Sequence, residues 1–166
     1  MSGKTEKNLA YAFAAESKAS TRNAAFAQKA DHEGYARIGR LFRAVADAES
    51  VHARRYLRLM RGKIGNTEEN LETAFKNEIK ANADEYPKLI KEATEEGVKS
   101  AEVAFSHSRD VENRHASLYK KAMNDMLADR DTEYFVCQVC GYISEDKPPE
   151  RCPVCGAVKG KFKQVS

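Results

Sequence analysis

Two stretches of this 166-residue chain share one frame, D-x-E-x-x-H-A: "DAESVHA" from Asp47 to Ala53 and, later in the chain, "DVENRHA" from Asp110 to Ala116. On a helix, residues three apart lie about 60° apart around the axis and ~4.5 Å along it, so Glu49 with His52, and Glu112 with His115, can each address one centre. A single E-x-x-H on a helix is common and is usually a solvated pair; the duplication carries the signal. Two further carboxylates, Glu16 and Glu78, interrupt apolar stripes elsewhere. Four inward carboxylates without partners would be costly and would draw protons through mutual repulsion, whereas two divalent cations cancel four negative charges. Mixed carboxylate and imidazole donors suit iron or manganese and support two-electron chemistry with O2 or peroxide.

The four cysteines form a second cluster. "CQVCGY" (Cys137 to Tyr142) and "CPVCGA" (Cys152 to Ala157) are two C-x-x-C-G knuckles joined by a short connection from Gly141 to Arg151. Each knuckle sets two thiolates on one side of a tight turn, and the pair makes a tetrahedral four-sulfur metal site. Spacing alone leaves a structural zinc and a redox-active iron both open.

The elements that must position these residues are helices. From Thr5 to about Asp129 apolar residues recur at three- and four-residue steps, predicting four helices. The first carries Leu9, Phe13, Glu16, Ala19, Asn23 and Phe26, and the second Ile38, Phe42, Val45, Glu49, His52, Tyr56 and Leu59. The third carries Leu71, Phe75, Glu78, Asn82 and Leu89, and the fourth Val98, Ala101, Phe105, Ser108, Glu112, His115, Tyr119, Ala122 and Met126. Gly34 and Gly97 fit helix ends, Asn66 or Thr67 an N-cap, and Pro87 a kink within the third helix. Facing residues of an antiparallel pair lie symmetrically about its turn. The midpoint of Glu16 and the Glu49/His52 pair falls at about residue 33, beside Gly34; that of Glu78 and Glu112/His115 falls at about 96, beside Gly97. One helical hairpin thus occurs twice, each copy offering a Glu from its first helix and a Glu plus a His from its second. His32 and His107 lack this context and are expected at the surface. Asp47 and Asp110 recur with the motif, either solvated or orienting an imidazole. After "ADRDTEY" prolines, aromatics and cysteines replace the helical pattern, predicting a bundle over 1–132 and a small metal-binding domain over 133–166.

Charged residues at 32% and hydrophobic residues at 42% are the balance of a soluble globular chain, and no apolar run approaches the roughly 20 residues that span a bilayer. The opening "MSGKTEKNLAYAF" has no secretory apolar core, so the expected address is the cytoplasm. A net charge of +3, with the basic run Arg54 to Lys63 at a helix end, gives no reason to expect nucleic acid.

A duplicated Glu/Glu-x-x-His bundle followed by "YFVCQVCGYISEDKPPERCPVCGAVKGKF" resembles the rubrerythrin family over essentially the whole chain. The resemblance implies an all-α ferritin-like four-helix bundle with a small C-terminal rubredoxin-like domain. Two non-haem irons would be held by Glu16, Glu49, His52, Glu78, Glu112 and His115. One tetrathiolate iron, with zinc as the alternative, would be held by Cys137, Cys140, Cys152 and Cys155. It further implies a peroxidase that reduces hydrogen peroxide to water in oxidative-stress defence, and a homodimer in which one subunit's tail serves the other's di-iron site. Electrons would come from a separate reductase using NAD(P)H, because no Gly-rich dinucleotide fingerprint occurs here. Two departures bear on substrate. Ala81 stands where the family usually has a Glu that exchanges with the first motif's His as an iron ligand, which predicts that His52 stays bound in both oxidation states; Glu85 lies one turn further. Asn23 stands where a tyrosine is common, while a later tyrosine is kept as Tyr86, expected next to the irons. The competing readings are a di-iron O2 reductase, a ferroxidase or iron-handling protein, and a zinc-bearing module without activity.

Overall fold

The computed structural model describes residues 3–126 and 132–165. The chain divides into two compact units, Met1–Gly65 and Asn66–Ser166.

The first unit is a helical hairpin of α1 (Gly3–His32) and α2 (Ala36–Leu59). Its seam explains why the helices approach closely. Gly39, Ala46, Ala53 and Met60 follow one another at seven-residue steps on α2 and its C-cap, and all are buried. Ala27 and Ala30 are the buried residues of α1. Small side chains let the backbones come together, and the Ser20 hydroxyl on α1 donates to the Ala46 carbonyl of α2 at 2.8 Å. Phe26 meets Phe42 edge-on, 5.5 Å between ring centroids.

The second unit opens with α3 (Thr67–Lys80), capped as its sequence predicts. Asn66 Oδ1 accepts the Glu69 N–H at 2.9 Å and Glu69 Oε2 accepts the Asn66 N–H at 2.8 Å. Such a reciprocal cap satisfies two otherwise orphaned donors. Pro87 was expected to kink this helix; instead a π-helical segment, Ala81–Glu85, leads directly into α4 (Tyr86–Glu95). The reason is local: a proline ring collides with the carbonyl four residues back, here Ala83, and has no N–H to give it. The wider π turn makes room. α5 (Lys99–Asn124) returns alongside. Both hairpins turn identically at a glycine. Gly34 (φ 84°) and Gly97 (φ 70°) take left-handed conformations that a Cβ would strain, and the next residue's N–H closes each turn, Tyr35 onto Ala30 O at 2.8 Å and Val98 onto Ala93 O at 2.9 Å.

The expected end of the last helix at about Asp129 falls among residues 127–131, outside those described. Beyond them three short strands, β1 (Tyr134–Cys137), β2 (Ile143–Glu145) and β3 (Phe162–Val165), form an antiparallel sheet in the order β2-β1-β3. Tyr134 pairs with both Glu145 and Val165.

Candidate metal centres

In the first unit α1 brings Glu16, and α2 brings Glu49 and His52, to one place: His52 Nδ1 lies 3.2 Å from Glu49 Oε2 and 3.7 Å from Glu16 Oε1. In the second unit Glu78 on α3 meets Glu112 and His115 on α5 in the same pattern, with His115 Nδ1 at 3.0 Å from Glu112 Oε2 and 3.9 Å from Glu78 Oε1. Within each trio the donor atoms lie within 4.8 Å of one another. The repeat seen in the sequence is therefore a repeat of geometry.

The electrostatics of both trios are those of crowded carboxylates. Burial, then a shared hydrogen bond and repulsion from Glu112, pushes Glu78 up to about 7 from its usual 4.5. Glu16 is raised by its hydrogen bond to Glu49, and Glu49 is lowered by the same bond and by His52. A proton is thus held where a cation would do better, and this donor chemistry fits a divalent metal in each trio. Two tyrosines border the second trio. Tyr86, at the start of α4, directs its hydroxyl to Glu112 Oε1 at 3.4 Å. Tyr119, which sequence reasoning counted only as stripe, is held protonated by burial and by the Glu78 and Glu112 charges. Leu71, Glu78, His115, Leu118, Tyr119 and Tyr134 line part of a cavity of about 570 Å³.

The two histidines differ in support. His115 Nε2 lies 3.2 Å from the Gly141 carbonyl. A carbonyl only accepts, so Nε2–H is the donor in that contact, and Nδ1, on the carboxylate side, is the nitrogen a metal would take. His52 is half exposed, and among the described residues its ring is paired only through Nδ1, to the two carboxylates. Asp110, weighed as an orienting residue, is exposed and accepts from Arg109 at 2.7 and 2.9 Å; the Gly141 carbonyl takes that role. Asp47 and His32 are exposed, and His107 is partly so. Glu85 is tied to Lys80 at 2.7 Å and remains mostly exposed, so it does not stand in for the missing carboxylate at Ala81. Asn23 donates to its own helix, at Ala19 O.

The cysteine knuckles are copies of each other. Gly141 N–H donates to Cys137 O and Gly156 N–H to Cys152 O, both at 2.9 Å, while Cys137 N–H reaches Tyr142 O and Cys152 N–H reaches Ala157 O. Cys137 Sγ lies 3.8 Å from Cys155 Sγ, and Cys140 Sγ 3.5 Å from Cys152 Sγ. A metal with ~2.3 Å bonds to four sulfurs at tetrahedral corners separates them by about 3.8 Å, so the spacing fits one ion rather than disulfides. Burial pushes the Cys140 and Cys155 thiols up. For Cys137, burial is outweighed by hydrogen bonds from the Cys140 and Val139 N–H groups, and its thiol is lowered.

One set of residues was missed. Arg114, on α5 between the two ligand candidates, donates from Nε to Ile143 O and from Nη2 to Glu145 Oε2, each at 3.0 Å, and its guanidinium lies 5.9 Å from the Tyr142 ring centre. Lys121 donates to the other Glu145 oxygen. No spacing rule links residues so far apart in the chain and on different element types.

Comparison with known proteins agrees with this arrangement. The family model described as rubrerythrin matches residues 7–123, and that described as the rubrerythrin rubredoxin-like domain matches 135–163. Nigerythrin of Nitratidesulfovibrio vulgaris is 34% identical, with 96% of this chain and 86% of that protein aligned. A rubrerythrin of Porphyromonas gingivalis is 34% identical over 98% of this chain and 90% of its own length. Among solved structures, nigerythrin in a partially reduced state superposes with a TM-score of 0.60 at 33% identity, covering 99% of this chain and 88% of the other. An all-ferrous form of nigerythrin gives 0.59.

Proposed function

Because the chain belongs to the rubrerythrin family, with a ferritin-like helical part, a di-iron site and a C-terminal rubredoxin-like four-cysteine iron site, we propose that it is a peroxidase reducing hydrogen peroxide to water. The observation that carries this reading is the link between the two kinds of centre: one imidazole, His115, faces carboxylates through Nδ1 and the cysteine knuckle through Nε2. A storage or ferroxidase protein has no use for a tetrathiolate centre joined to its ligands.

In this proposal the trio Glu16, Glu49 and His52 and the trio Glu78, Glu112 and His115 would hold two irons, and Cys137, Cys140, Cys152 and Cys155 would hold the third. Bound iron supplies the electrons for reductive cleavage of the O–O bond. The protein's residues set the stage for that step. Glu78 gives up its proton when metal arrives, and the carboxylates tolerate changes of charge because each already shares its neighbour's hydrogen bond. Tyr86 steadies Glu112. The cavity beside Glu78, His115 and Tyr119 is ample for a molecule as small as peroxide. That nigerythrin has been captured in mixed-valence and all-ferrous states supports redox iron over zinc. Family resemblance further suggests a cytoplasmic homodimer fed by a separate NAD(P)H-using reductase.

O2 reduction is the second reading, favoured by Ala81 and by Glu85 being engaged with Lys80. Fully reduced, iron-loaded protein mixed anaerobically with one equivalent of peroxide or of O2, while the ferric-thiolate absorption is followed, separates the two. Peroxide is expected to restore the colour much faster. A faster return with O2 would replace the peroxidase with the oxidase, and uptake of many more irons than the centres hold would establish iron handling instead.

A further inference from the structure

α5 presents two neighbouring stripes. Glu112, His115 and Tyr119 belong to the carboxylate side; Val111, Arg114, Leu118 and Lys121 step by three, four and three residues about 100° away, on the side that meets the cysteine module. Within that second stripe the charged partners are specific. Arg114, its side chain only 29% exposed, holds a backbone carbonyl and a carboxylate of β2 at once, and Lys121 completes the coordination of Glu145, itself 17% exposed. Val111 lies beneath Gly141, in ordinary contact range of any Cβ added there. The result is that the strand following the first knuckle is fastened to α5 on one side of Gly141, while His115 takes the Gly141 carbonyl on the other.

We propose that Arg114, acting through Glu145 with Lys121, is a positioning residue: it holds the cysteine module against α5 so that the Gly141 carbonyl stays on His115 Nε2, fixing both the imidazole's orientation and the contact between the two metal-binding centres. The inference rests on the reading above for its redox consequence and on geometry alone for the docking. With iron in both centres, each electron crossing the contact would take one tetrathiolate iron from ferrous to ferric and return one iron of the pair from ferric to ferrous. Two such transfers restore what one peroxide removed, that peroxide having taken up two electrons and two protons to give two waters.

Arg114 bonds a half-buried backbone carbonyl and a carboxylate, and losing such charge-assisted bonds shifts a docked-to-undocked equilibrium by about tenfold or more. The test uses R114A, E145A and the double variant. With zinc in the cysteine site and no metal in the bundle, amide exchange at Tyr142 to Glu145 and the 15N signals of the His115 ring are read. R114A is expected to raise exchange at least about tenfold and to lose the signal of a hydrogen-bonded Nε2–H, and the double variant to be no worse than either single one. In the iron-loaded protein, oxidation of the ferrous tail after a peroxide pulse should slow by a similar factor, with the tail's spectrum and reduction potential as in the parent. Parent-like exchange and a parent-like hydrogen-bonded Nε2–H signal in R114A, additive losses in the double variant, or a slower transfer explained by a shifted potential would each overturn the proposal. If the parent's own tail is not oxidised after peroxide, the peroxidase reading fails, while the metal-free measurements still decide the role of Arg114.

Discussion

Replacing Glu78 with glutamine should make the metal-free protein more stable at neutral and alkaline pH while destroying its use for a metal. In the folded chain Glu78 holds its proton up to about 7, against 4.5 when exposed. A group raised in this way favours the folded state fully below pH 4.5, and that contribution disappears as the pH rises through 7. At about 1.4 kcal/mol per pH unit the gap from 4.5 to about 7 amounts to ~3 kcal/mol. One fifth of the side chain still meets water, and screening reduces the figure to about 1–2 kcal/mol. Glutamine keeps the size and hydrogen bonding of the protonated acid and carries no charge at any pH. Calorimetric melts of parent and E78Q, with zinc in the cysteine site and the helical centre metal-free, test this at pH 5 and pH 8. The parent should lose stability between the two, and E78Q should melt roughly 2–8 °C higher than the parent at pH 8, with little difference at pH 5. Adding ferrous iron should then raise the melting temperature of the parent well above its metal-free value and that of E78Q much less. An E78Q protein that melts below the parent at pH 8 would refute the reasoning, since Glu78 would then be a paired and stabilising charge.

Replacing Glu112 or His115 by alanine should abolish peroxide turnover and leave the ferric-thiolate colour of the tail; a turnover assay beside an absorption spectrum checks both. Gly97→Ala should cost about 1–2 kcal/mol in urea unfolding, because alanine meets left-handed strain at φ 70°, with no clash added since no atom lies near its Cβ. Ser144→Ala should be neutral or stabilising by up to ~1 kcal/mol in the same assay, because the Ser144 hydroxyl is buried with no hydrogen-bond partner among the described residues.

What the sequence revealed followed from periodicity and local chemistry. Glu49 with His52, and Glu112 with His115, could be grouped because i,i+3 geometry is fixed by the helix itself, and the glycine turns located their partners Glu16 and Glu78. The cysteine site was legible for a similar reason, each knuckle being a closed local turn. The π segment was not, because Pro87 announces a disturbance without saying whether the helix bends or widens to absorb it. Arg114 was hidden for another reason. Its partners, the Ile143 carbonyl and Glu145, lie on a strand of a different module, and a helical arginine next to a ligand histidine looks like any solvated cation. Nor could composition show that Gly141, chosen for a knuckle, would offer its carbonyl to an imidazole.

The π segment also marks where the two hairpins stopped being equivalent. The interval from Glu78 to Gly97 is longer by a single residue than that from Glu16 to Gly34, whereas the intervals from Gly34 to Glu49 and from Gly97 to Glu112 are equal. The extra residue thus belongs to the stretch that contains Ala81–Glu85, and a π turn is how a helix absorbs one residue without breaking. In an unbroken α-helix Tyr86, eight residues after Glu78, would stand about 80° around the axis from it; absorbing one residue removes about 100° and leaves roughly 20°. The π turn therefore holds Tyr86 at the station that Asn23, seven residues after Glu16, occupies in the first copy, and a phenol faces the carboxylates of one copy while an amide stands in the other. The outcome is a pair of trios with the same ligands and different neighbours, so that two metal ions bound by them would not be chemically interchangeable.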